Sequence, residues 1–213
     1  FKYYFNINIV LDKDVYKTID KVSTEALFKD RGSKFYGYAF PVTNEEEIKE
    51  NIEFLKKQHY NARHWCYAWQ LGKKHEKYRA NDDGEPTNSA GTPIYGQLQA
   101  FEVTNVLVVV VRYFGGTKLG VGGLIQAYKT AAKLALENSE IIQKTINEEF
   151  ILQFNYSEMN KVMRIVKEEQ ISIINQKLDL NCRYIISVRK KEAAKVFKLF
   201  DETYKVLIKK KNN

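Results

Sequence analysis

The 213-residue sequence is long enough for one large domain or two small ones. Its 44% apolar, 13% aromatic and 28% charged content supports packed cores and excludes a wholly disordered chain. The net charge of +8 is uneven, with 15 Lys and Arg against 9 Asp and Glu over residues 144–213 but 19 against 17 over residues 1–143, so any preference for an anionic partner belongs to the second part.

Residues 17–28 alternate loosely, and Arg31-Gly32-Ser33 punctuates them before FYGYAFPV, which predicts two strands joined by a tight turn. From Thr43 or Asn44 a capping residue precedes Glu45, Glu46 and Glu47, and Ile48, Ile52 and Leu55 follow at helical spacing. That is an amphipathic helix ending near His59. Residues 63–71 read as an aromatic strand and residues 72–93 as a long polar loop, of a length often tied to function. Residues 94–101 read as a further strand. The β-branched run over residues 106–114 predicts a strand buried on both faces, and a helix is expected from about Leu124 to Asn138.

Beyond Lys144 the predicted order is strand 149–155, helix 157–169, strand 171–176, strand 180–188, helix 192–203 and strand 204–208. This is the βαββαβ order of a ferredoxin-like sandwich. The terminal KKKNN reads as a frayed basic tail. Domains are therefore expected at 17–143 and 144–213.

In VVVVRYFGGTKLGVGGLIQAY, a buried strand delivers Gly115, Gly116, Gly120, Gly122 and Gly123 to a helix start, where backbone N–H groups and a partial positive charge favour anions. Arg112 and Lys118 lie beside it in sequence, and Arg63 and His64 complete a cationic set suited to a phosphate-sized anion or nucleic acid. Tyr113 and Phe114 are candidates for stacking on bases. The Walker spacing from Gly115 to Gly120 lacks the required Lys and Ser/Thr, and the Rossmann position of a third glycine is empty. Nucleotide hydrolysis and dinucleotide binding are disfavoured, and no cofactor is expected. The alternative is that the glycines only permit tight turning and close packing.

This segment, with ARHWCYAW at 62–69 and NDDGEPTNSAGTPI at 81–94, resembles the hallmark blocks of the YigZ/IMPACT family over residues 18–141. The resemblance implies an α+β chain. Its first part would be a two-layer α/β domain related to domain four of elongation factor G, with a left-handed crossover, and its second would be similar to the ferredoxin-like domain of the bacterial YigZ branch. For the eukaryotic IMPACT branch it implies regulation of translation through a protein partner; that branch has an additional RWD domain not found in this sequence, so its partner is not carried over to this chain. Trp65, Asn88 and Thr92 depart from the pattern, where His, Gly and Lys are often found.

Asp82, Asp83 and Glu85 form an acidic loop that either holds a hard cation or serves as a turn; turn chemistry is favoured and no metal is expected. His64 and Cys66 share a strand face, which raises a Cys-His nucleophile. The cysteines, Cys66 and Cys182, form no CxxC pair, and no run nears the roughly 20 apolar residues of a membrane span. The opening FKYYFNINIV lacks a signal-peptide pattern, so a cytoplasmic location is expected. The leading functional expectation is a translation-associated regulatory or binding protein that contacts structured RNA, the ribosome or a ribosome-associated protein. The alternatives are a protein-interaction module and an enzyme acting on a small anion at the glycine loop.

Overall fold

The computed structural model describes residues 14–211. Residues 16–144 form one compact unit; residues 145–211, with 14 and 15, form the other.

The first unit begins with β1 (Val15–Ile19), followed by the hairpin of β2 (Ala26–Asp30) and β3 (Ser33–Pro41). Its two-residue turn needs left-handed backbone at both positions, and Arg31 (φ 44°) and Gly32 (φ 77°) supply it. Helix α1 (Glu45–Gln58) starts at Asn44, whose side chain accepts the Glu46 and Glu47 N–H groups at 3.0 Å each. Glu47 accepts the Thr43 N–H at 2.6 Å in turn, so two orphan donors of the first turn and the N–H just before the cap are met. Then come β4 (His64–Leu71), β5 (Lys77–Asn81), α2 (Gly91–Ala100), β6 (Val106–Tyr113), α3 (Gly120–Glu137) and β7 (Ile141–Thr145).

The five-stranded sheet runs β2-β3-β6-β4-β5, and every neighbouring pair in it is antiparallel. Along β6, Val106, Val108 and Val110 enter a core with α2 and α3, while Leu107, Val109 and Val111 enter a second core with Ile48, Ile52 and Leu55 of α1. Both faces are covered because both are apolar. The expected two-layer domain is thus corrected to three layers.

Four other expectations change. Residues 94–101 lie in helix α2 and its C-cap: Ile94 and Leu98 are buried one helical turn apart, and Pro93 is tolerated because it sits in the first turn. The predicted loop 72–93 contains β5, which pairs with β4. Helix α3 begins at Gly120 rather than near Leu124, so Gly120, Gly122 and Gly123 are helical. The alternating stretch 17–28 also divides, since β1 leaves the hairpin to pair with β7.

The second unit contains β8 (Asn147–Asn155), α4 (Met159–Glu168), β9 (Ser172–Lys177), β10 (Asn181–Arg189), α5 (Ala193–Asp201) and β11 (Val206–Lys210). The antiparallel sheet runs β11-β8-β10-β9. One face buries Phe150, Leu152, Phe154, Tyr184, Ile186 and Ile208 in a core shared with Val162, Val166, Val196 and Phe200 of the helices. Lys209 and Lys210 of the predicted tail are in β11, and residues 212–213 of that tail lie outside the described residues.

Candidate functional site

The acidic loop folds back over β4, and its three carboxylates take three separate tasks. Asp82 accepts the N–H groups of Asn88, Ala90 and Gly91 at 2.8–2.9 Å, which satisfies the start of α2. Asp83 accepts the Trp65 N–H at 2.7 Å. Glu85 turns inward, where one oxygen accepts from both Arg112 and the Tyr128 hydroxyl. Asp83 sits at φ 43° and Gly84 at φ 84°, the tight backbone that aims these groups apart. Among the described residues no group of His, Cys, Asp and Glu is arranged to hold a metal ion.

The cationic set expected from the sequence is not gathered around one anion. Arg112 leaves it: its side chain is 8% exposed and that of Glu85 5%, so its charge is met inside the fold. Its guanidinium lies 5.5 Å from the Phe35 ring centroid and 5.6 Å from that of Phe114. His64, opposite Arg112 across β4 and β6, meets the Asp83 carbonyl at 2.8 Å; a carbonyl only accepts, so Nδ1 carries the proton. Arg63 and Lys118 remain exposed.

Cys66 is fully buried and donates to the Asp82 carbonyl at 2.9 Å. Burial pushes its thiol well above the usual range, outweighing the Tyr128 hydrogen bond that lowers it. A thiolate nucleophile beside His64 has no support.

The glycines divide by what surrounds them. A Cβ on Gly115 would stand 1.9 Å from the Gly32 carbonyl carbon and 2.1 Å from the Ser33 nitrogen, so this glycine exists for close packing of loop on hairpin. Beside Gly116, Gly120 and Gly122 a Cβ would meet nothing within 4 Å, and a Cβ on Gly123 would come within 3.0 Å of the Leu119 Cβ. Helix α3 has no side-chain cap hydrogen bond at Leu119, and Lys118, exposed, directly precedes that residue.

A second polar group, not anticipated from the sequence, lies on the α1 face. His59, the C-cap of α1, is 8% exposed and contacts the Tyr38 hydroxyl at 2.6 Å through Nε2 and the Tyr113 hydroxyl at 3.0 Å through Nδ1. Tyr38 also donates to Glu25, so its oxygen is left to accept from Nε2–H and Nδ1 accepts from Tyr113. The chain runs from Tyr113 through His59 and Tyr38 to the Glu25 carboxylate. Burial raises the Tyr38 hydroxyl far above its ordinary value, reinforced by the Glu25 hydrogen bond, and burial also raises Tyr113. Burial lowers His59 from 6.5, against the opposing pull of Glu25.

Because the folded pKa of His59 lies below its unfolded value, the linked stability is present above about pH 6.5 and is lost as pH falls through the folded pKa. Denaturant midpoints should therefore fall between pH 7.5 and pH 5, and His59→Gln should flatten part of that fall. An unchanged pH slope in the variant would contradict the assignment.

In the second unit, the sheet face turned away from α4 and α5 carries Ile151, Gln153, Arg183, Ile185, Leu207 and Lys209 on β8, β10 and β11. Lys177 is directly opposite Arg183 on β9 and shares that face. Lys177, Arg183 and Lys209 have no ion-pair partner among the described residues, whereas Glu149 on the same face is engaged by Lys211 at 2.6 Å. A broad depression of about 910 Å³ opens there, with Gln153, Asn155, Lys177, Asn181 and Arg183 in its wall. Tyr204, 73% exposed, stands on its rim with the Lys205 ammonium 5.1 Å from its ring centroid. The rim also carries Asp201 and Glu202, the second paired with Lys198.

No helix among the described residues is long and apolar enough to cross a membrane. The Impact N-terminal domain model matches residues 31–136. IMPACT family member YvyE of Bacillus subtilis is 33% identical over 160 residues, covering 75% of this chain and 74% of that protein. IMPACT family member YigZ of Escherichia coli is 34% identical over 157 residues, covering 64% of this chain and 77% of that protein. A crystal structure described as that of a hypothetical protein superposes with a TM-score of 0.70 at 26% identity, covering 94% of this chain and 99% of the other. With the matched segment running from the β2–β3 turn to the end of α3, and with these relatives aligned over most of their length, the chain belongs to the IMPACT family.

Proposed function

We propose that this protein is a translation-associated factor of the cytoplasm that binds structured RNA, as presented by ribosomal subunits. The observation that carries the reading is the open sheet face of the second unit, where Lys177, Arg183 and Lys209 have no ion-pair partner among the described residues and stand near Asn and Gln side chains. Cations on a surface depression draw a polyanion by counterion release, and amide side chains add hydrogen bonds to sugar and phosphate. Tyr204 offers a ring for stacking. In the first unit, the uncapped start of α3 with Lys118 presents backbone donors suited to a phosphate. Family membership supports the link to translation.

The fold component of the proposal is that residues 17–143 correspond to domain four of elongation factor G and residues 144–213 to a ferredoxin-like domain. The βαββαβ succession and the strand order β11-β8-β10-β9 support the second assignment.

Co-sedimentation with ribosomal subunits at low salt, with a gel-shift of a structured RNA beside it, tests the reading. Binding that weakens steeply with added salt is expected. The absence of both co-migration and a shift would refute it.

A further inference from the structure

In the second unit one row of side chains crosses the open sheet face from edge to edge. Leu207 of β11 stands opposite Gln153 of β8, Gln153 opposite Arg183 of β10, and Arg183 opposite Lys177 of β9. Neighbouring strands lie about 4.8 Å apart, so the row spans roughly 14 Å at right angles to the strands. Its chemistry changes along the way, from apolar at β11 through an amide at β8 to two cations at β10 and β9.

The cationic end calls for an anion. Side chains directly opposite in an antiparallel pair have Cβ atoms about 4.5–5.5 Å apart, and like charges in that relation repel. Arg183 and Lys177 hold such positions, both exposed and both without an ion-pair partner among the described residues. A phosphate seated between them turns repulsion into attraction, with the guanidinium fork on one side of it and the ammonium on the other.

The β11 end disfavours a phosphate. There the depression is walled by Asp201, Glu202, Thr203 and Tyr204, which bring two carboxylates, the second of them paired with Lys198. Tyr204 and Leu207, 73% and 62% exposed, offer a ring face and an apolar floor. The Lys205 ammonium, 5.1 Å from the Tyr204 ring centroid, helps to hold that ring in place. A flat, uncharged group fits this end, and N–H donors on it would find carboxylate acceptors.

We infer that the open face holds an unpaired stretch of RNA laid across the strands, with a phosphate between Arg183 and Lys177, the chain passing over Gln153, and a base stacked on Tyr204. The inference rests on RNA being the ligand of the second unit and adds which part of that RNA is held. Bases within a duplex are stacked on one another and cannot lie on Tyr204, so the part is a loop or a bulge. Asn155 and Asn181, opposite each other on the same face beside the row, add amides for sugar and base edges.

The test is fluorescence anisotropy of the full chain with labelled hexauridylate, an RNA stem-loop and a short blunt RNA duplex at low salt. Wild type is compared with Tyr204→Ala, Tyr204→Phe and the double variant Lys177→Gln/Arg183→Gln, all at exposed positions, and circular dichroism checks that each folds. Hexauridylate and the stem-loop should bind more tightly than the duplex. Tyr204→Ala should weaken hexauridylate about tenfold without changing the salt dependence, and Tyr204→Phe, which keeps the ring, should bind like wild type. The double variant should flatten the salt dependence. If the duplex binds as tightly as hexauridylate and Tyr204→Ala binds like wild type, this inference falls while RNA binding stands. If none of the three RNAs binds, RNA binding by the second unit falls with it.

Discussion

Replacing Glu85 with alanine should destabilise the protein by about 3–5 kcal/mol, the cost of leaving a buried charge unpaired. The partner left behind would be Arg112, largely buried between the rings of Phe35 and Phe114, and the Tyr128 hydroxyl would lose its acceptor as well. Arg112→Met should cost less than Glu85→Ala when made in the Glu85→Gln background, because both charges are then gone. Urea unfolding of the three variants measures this. A loss below about 1 kcal/mol for Glu85→Ala would show that the pair is not closed off from solvent.

Gly115→Ala should be comparably severe, at about 3 kcal/mol or more, since the added carbon meets backbone and not the end of a movable side chain. The loop after β6 and the β2–β3 turn would have to separate, which also breaks the hydrogen bond from the Gly115 N–H to the Ser33 hydroxyl at 3.1 Å. Gly122→Ala is the control. Its Cβ points into open space within a helix, and alanine there should stabilise by about 0.5–1 kcal/mol. If the two substitutions had equal effects on the urea midpoint, the division of the glycines into packed and open positions would fail.

Much of the fold was readable because it is encoded locally. Asn44, the three glutamates and the Ile48-Ile52-Leu55 spacing lie within a dozen residues and mark α1 correctly. The β-branched run of β6 announces burial on both faces. The failures are non-local. Helix α2 looked like a strand because its start is satisfied by Asp82, eight residues before Ala90, and because Pro93 and Tyr95 suggest an extended chain when read alone. Strand β7 acquires its identity only by pairing with β1 at the other end of the unit.

The site followed the same rule. The motifs 62–69, 81–94 and 108–128 were visible, but Arg112 and Glu85 are 27 residues apart and nothing local shows that they neutralise each other. His59 drew attention only as a helix end. Its tyrosine partner Tyr113 is 54 residues away, although the alternation of Tyr36 and Tyr38 on one face of β3 was a usable sign of a polar aromatic cluster. The net charge drew attention to the second unit, while the register of β8, β9, β10 and β11 was needed to find which cationic side chains share a face.

The central claim, that this face holds RNA, is tested most directly by the salt dependence of binding. Fluorescence anisotropy of a labelled structured RNA should be followed between about 50 and 200 mM salt for wild type and for Lys177→Ala/Arg183→Ala/Lys209→Ala. The account predicts weaker binding by the variant and a slope of log K against log salt reduced by about 2–3, the loss of three phosphate contacts. Equal affinity and equal slope in the two proteins would contradict it.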